Sequence, residues 1–168
     1  MNAVATLTFV HVVISLVGLT SGFVVVWGLL NRQRLERWTA LFLTTTIATS
    51  VTGFLFPVDR ITPGHVLGVI SLVLLAVAVV ALYRQQLLGR WRSAYVASAI
   101  AAQYLNFFVL IVQLFAKVPA LKALAPTQTE PAFAITHLVA LAAFLAVGVA
   151  ALRASSGNAK QTAEVAGR

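Results

Sequence analysis

Three histidines, His11, His65 and His137, carry the widest chemical range in this chain, which has no cysteine. Neutral imidazole nitrogens from different helices suit zinc, copper or iron, and a haem takes axial histidines from facing helices. Amides stand beside them at Gln103, Asn106 and Gln113, and a hydroxyl stripe runs through Thr45, Thr49 and Thr52. Histidine and glutamine together could also grip an apolar ligand such as a quinone. At helical spacing, Gln103, Asn106, Gln113 and Lys117 fall within an arc of about 80°, so the spacing predicts a stripe facing a bundle interior rather than hydrocarbon.

Other chemistries find little support. The acids are Glu36, Asp59, Glu130 and Glu164, all in expected loops or the tail, so no buried carboxylate pair exists for acid–base work. Without an oriented acid, serine and histidine make no nucleophile. The lack of cysteine removes disulfides, thiolate metal sites and iron–sulfur clusters. No HxxxH spacing sharpens the metal reading.

The elements that must position these groups are long apolar segments. The chain has 168 residues, 60% hydrophobic and 10% charged, against about 25% charged in a soluble domain. Five spans are expected at about residues 4–30, 39–56, 63–83, 93–116 and 132–152, forming one all-α transmembrane domain over 1–152. The first lacks a basic leader region and reads as a retained helix rather than a signal peptide. Thr62 then Pro63 is a helix start, with a hydroxyl cap and proline at the first position. Gly18-x-x-x-Gly22 and Gly64-x-x-x-Gly68 permit close helix approach, so helices one, two and three are expected to pack through these glycines and the threonine face. Asp59 and Arg60 are expected to pair locally. Ala120 to Ala125 suggests one or two interfacial helical turns. Residues 153–168 read as a disordered tail.

The net charge of +8 is spread over loops, so membrane topology explains it better than nucleic acid does. Arg32, Arg34, Arg37, Arg84, Arg90, Arg92, Arg153, Lys160 and Arg168 lie on one side, and Arg60, Lys117 and Lys122 on the other. The positive side stays in the cytoplasm, which predicts an outside N-terminus and a cytoplasmic C-terminus. Trp27, Trp38 and Trp91 then mark the cytoplasmic interface. All three histidines fall in the outer third of the bilayer, with Gln113 and Lys117 at their level.

The stretches TSVTGFLFP, ITPGHVLGVISL, NFFVLIVQLFAKVPAL and LAPTQTEPAF resemble a group of small multi-span bacterial inner-membrane proteins, a group with no function to transfer. The size and five spans are also similar to the tryptophan-rich sensory (translocator) proteins, whose tryptophan- and proline-rich signature this chain lacks.

The expectation is therefore a multi-pass protein of the bacterial inner membrane that is not an enzyme. It would bind a metal, a haem or a quinone-like ligand in an outward-facing pocket. His11, His65, His137, Gln113 and Asn106 would line that pocket, with the three histidines as metal ligands. An accessory or assembly subunit of a larger membrane complex is the first alternative. A small-solute transporter, with the Thr45/Thr49/Thr52 and Gln103/Asn106 stripes lining one path, is the second. The expected partners are the lipid bilayer and a homo-oligomer or larger complex, with no nucleic acid.

Overall fold

A computed structural model describes residues 2–57 and 62–166, with side chains described as far as residue 155. The expected Asp59–Arg60 pair lies outside these residues. Among them the chain forms α1 (Ala3–Leu30), α2 (Glu36–Gly53), α3 (Pro63–Val79), α4 (Arg90–Lys117), α5 (Pro119–Leu124) and α6 (Pro131–Ala166), and no strand. A π-helical turn, Val80–Arg84, carries α3 into the following loop.

The boundaries follow from local chemistry. Pro63 opens α3, Pro119 opens α5 and Pro131 opens α6, each at a position where a missing N–H breaks no helical bond. Val118 ends α4 because the residue before a proline is pushed out of the helical region. Thr62 caps α3 as expected, and His65 completes the cap. The tail differs from expectation. α6 continues to Ala166, well past residue 152. Alanines at 150, 151, 154, 159, 163 and 166 supply helix propensity, and no proline interrupts the segment.

Four helices are long and apolar enough to cross a membrane: Ala3–Leu30, Pro63–Arg84, Arg90–Lys117 and Pro131–Ser155. Their outward faces carry large apolar side chains such as Phe9, Leu16, Phe23, Val73, Leu138 and Leu145. In water such surfaces would be aggregation sites; in a bilayer they meet a solvent of their own kind. The expected fifth span, α2, is shorter and more polar. Glu36, Arg37 and the hydroxyls at 39, 44–46, 49, 50 and 52 lower its hydropathy.

α2 packs most extensively on α1 and also contacts α3. The close approaches along α1 and α2 run in opposite order: Gly28 to Leu35, Gly22 to Phe42, Gly18 to Thr45 and Thr46, His11 to Gly53. That order makes the two helices antiparallel. A methyl group on Gly18 would sit 3.2 Å from both threonine hydroxyls, so the expected glycine–threonine packing is present. On α3, Gly68 approaches Phe54 of α2, while Gly64 meets nothing closer than its own Thr62. α4 is the hub, packing on α1, α3, α5 and α6. One buried cluster joins Val25, Phe42, Leu75, Tyr95, Val96 and Ala151 in the half nearer the arginine-rich loops. A second, with Ile111, Phe115, Ala125 and Ala140, sits near the histidine end.

Candidate functional site: a cavity at the basic end

The residues expected to build the outer pocket do not converge on one point. His11 Nδ1 lies 2.8 Å from Thr52 Oγ1, and its ring stacks edge-on against Phe56. Thr52 donates to the Ala48 carbonyl, so its oxygen accepts from the imidazole. His65 works within its own turn, where Nδ1 accepts from the Thr62 backbone N–H at 3.3 Å. His137 Nδ1 donates to the Phe133 carbonyl at 3.0 Å, and the rings of Phe108 and Phe133 both pack 4.3 Å from it. Among the described residues no group of three His, Cys, Asp or Glu comes close enough to hold a metal ion. The shared depth read from the sequence is not a shared metal site: His11 meets Thr52 and Phe56, His65 meets Thr62 and Phe54, and His137 meets Phe108 and Phe133.

The amide stripe of α4 is also split. Gln103 is fully buried and donates through Nε2 to the Leu19 carbonyl of α1 at 2.9 Å. Asn106 donates to Thr46 Oγ1 of α2 at 3.2 Å. Gln113 and Lys117, by contrast, are exposed. At that level Ile111 and Phe115 take the buried positions against α5 and α6, which turns the continuing amide row away from the core. Thr45 returns its hydroxyl to the Leu41 carbonyl, and Thr49 Oγ1 is buried without a partner.

A cavity of ≈ 360 Å³ lies at the opposite end, under the arginine-rich loops. Its apolar wall is Val25 and Leu29 of α1, Leu82 of the π turn, Leu87, and Val96 of α4. Its polar wall is Arg32, Gln33, Arg34 and Glu36 from the first loop and α2, Gln86, and Arg92 and Tyr95 of α4. Leu35, Thr39, Tyr83 and Ser155 complete it. Three guanidinium groups thus border one small volume against a single carboxylate. α2 begins at this wall with Leu35 as its N-cap and no side-chain cap, so a helix N-terminus adds positive potential that Glu36 offsets in part.

The backbone around the cavity is unusual. Arg32 (φ 58°), Gln86 (φ 51°) and Leu87 (φ 57°) occupy the left-handed region without being glycine, and all three line the cavity. Each costs roughly 1 kcal/mol or more. The π turn that brings Leu82 and Tyr83 to the wall is a second departure from regular helix, of a kind often found at functional sites. Leu87, only 7% exposed, holds this geometry by plugging into the core.

Sequence reasoning assigned Arg32, Arg34 and Arg92 to membrane topology alone. The fold adds that these residues border the same cavity. The available signal was the pair of short loops of matching charge, Asn31–Trp38 and Arg84–Arg92, joined to adjacent helix ends. Comparison with known protein families, curated proteins and solved structures gives no match for this chain.

Proposed function

We propose that this chain is a non-enzymatic, multi-pass membrane protein that binds a small anionic amphiphile in the basic-end cavity. The ligand would carry one phosphate or carboxylate group and a compact apolar body. The observation that carries this reading is the sidedness of the cavity, with Arg32, Arg34 and Arg92 on one wall and Val25, Leu29, Leu82, Leu87 and Val96 on the other. Guanidinium forks match the geometry of phosphate and carboxylate oxygens, and apolar walls receive a hydrocarbon body. The volume lies at the low end of the range for small-molecule sites, about 300–1,000 Å³. It favours a short chain over a whole bilayer lipid.

In this reading α2 is a fifth, polar span shielded by α1 and α3, the N-terminus is outside, and the cavity opens toward the cytoplasm of a bacterial cell. The excess of Lys and Arg on the loops at that end supports the orientation. The exposed Trp27, Trp38 and Trp91 at the same helix ends suit a headgroup interface.

The test is equilibrium binding of hexyl phosphate to the protein in neutral lipid nanodiscs, beside inorganic phosphate and 1-hexanol. Hexyl phosphate should bind more tightly than either fragment, and Arg34→Gln should weaken it about tenfold, as expected for one lost charge-assisted contact. Equal binding of hexanol, or indifference to Arg34→Gln, would sink the reading. Mass spectrometry of lipid retained through mild purification separates a phospholipid headgroup from a free amphiphile as the source of the phosphate.

A further inference from the structure

Above the cavity, the α1–α2–α4 seam carries polar groups at successive levels. Gly22, Phe42 and Gln103 meet at the first level: a methyl group on Gly22 would sit 1.9 Å from Gln103 Oε1 and 2.9 Å from the Phe42 ring. Phe42 is 1% exposed and Gln103 0%, so this level is sealed. One turn further, Asn106 donates to the fully buried Thr46 beside Gly18. Next comes Thr49, and then the Thr52–His11 pair. On α1 and α2 the cavity lies directly below, since Val25 and Thr39 belong to its wall and stand three residues from Gly22 and Phe42.

Two atoms in this seam lack what their surroundings demand. Gln103 Oε1 and Thr49 Oγ1 are buried with no hydrogen-bond partner in the protein. Thr44, Thr45 and Thr52 on the same helix donate to the carbonyl four residues back, so Thr49 departs from its own neighbours. Hydrocarbon offers no partner, and buried polar atoms that the protein leaves open are met by internal water.

We propose that the seam and the cavity are two halves of one path through the bundle, with water-sized hydrogen-bonding molecules at Thr49 and Gln103, and that the Phe42–Gln103 contact over Gly22 is the plug that holds it shut. The path would pass small neutral solutes of that class, water among them, once the two side chains part. Gly22 makes the plug possible, because any side chain there would occupy the place of the Gln103 amide. The inference stands independently of what the cavity binds.

Two measurements on the full chain test it. Thr49→Val keeps the shape and removes the hydroxyl. If water bridges Oγ1 to the seam, the thermal midpoint falls; if Oγ1 is truly without a partner, the midpoint holds or rises, and the hydrated seam is refuted. Osmotic water permeability of proteoliposomes, followed by stopped-flow light scattering, tests the plug. Wild type should match protein-free vesicles, Gln103→Ala should raise permeability several-fold, and Gln103→Leu, which refills the space, should not. Phe42→Ala serves in place of Gln103→Ala if that variant fails to keep its helicity and elution profile. A folded variant at the wild-type baseline, or a wild type that already conducts, overturns the plug.

Discussion

At the histidine end of the bundle, each imidazole is engaged close to home through Nδ1, with His137 Nε2 left buried and without a partner. His65 completes the cap of its own helix, His137 donates to a carbonyl one turn back, and His11 bonds Thr52 on the helix beside it. At the basic end, side chains from the first loop, α2, the π turn and α4 border one volume, and three non-glycine residues hold left-handed backbone to place the wall. Local satisfaction consumes hydrogen-bonding capacity and leaves little for a ligand. Convergence from several elements, at a cost in backbone strain, brings polar groups to one shared volume. The difference teaches that a site in a small membrane bundle is marked less by residue type than by whether several elements leave their polar groups facing the same space.

The sharpest way to break this comparison is to disarm the cavity. Arg34→Gln/Arg92→Gln should weaken hexyl phosphate at least about a hundredfold, from two lost contacts of about 1.5 kcal/mol or more each, while circular dichroism stays unchanged. Filling the joint between the two ends comes next. Gly22→Ala drives a methyl group into Gln103 and Phe42, and overpacking of this kind costs about 1–3 kcal/mol, read as a lower thermal midpoint.

The histidine end should respond weakly. His11→Phe removes the bond to Thr52, and inter-helix hydrogen bonds in membranes average about 0.6 kcal/mol, so stability should drop slightly and hexyl phosphate binding should hold. A binding loss in this variant would tie the two ends together.

The smallest effect is at Glu130, outside the spans. Slight desolvation raises the carboxyl pKa, but hydrogen bonds from Thr127 and Thr129 outweigh it and hold the group below its ordinary value of 4.5. A carboxylate depressed in the folded state stabilises it above the unfolded pKa, and that contribution fades as pH falls through the folded value. Below the ordinary carboxylate range, protection of the amides at residues 127–134, relative to their intrinsic exchange at the same pH, should therefore fall in wild type, and Glu130→Gln should show the lower protection already at neutral pH.

Much of the fold was legible because apolar length and proline position are local signals. Pro63 opens a helix where the sequence indicated, and Gly18 meets the threonine face; Pro119 and Pro131, read as punctuation of a loop, begin the helices expected one residue later. α2 was read as equal to the other spans because its hydroxyls can bond back to their own helix and so are tolerated in lipid; its shorter, more polar character emerges beside the others. The tail was read as disordered from its polarity, although its alanines sustain helix to Ala166. Gln103 was placed correctly toward the interior, whereas Gln113, on the same arc, is exposed because the bundle closes around Ile111 and Phe115 instead. The cavity was not legible. Its walls come from segments far apart in sequence, and its arginines already had a sufficient explanation in topology.

The most direct measurement is photo-cross-linking with a diazirine analogue of hexyl phosphate in nanodiscs, followed by peptide mapping. The account predicts adducts within residues 25–39 and 82–96, where the cavity wall lies. They should be competed by excess hexyl phosphate and absent from Arg34→Gln/Arg92→Gln. Adducts clustered around His11, Phe108 and His137, or spread along the lipid-facing sides of α3 and α6, would contradict it.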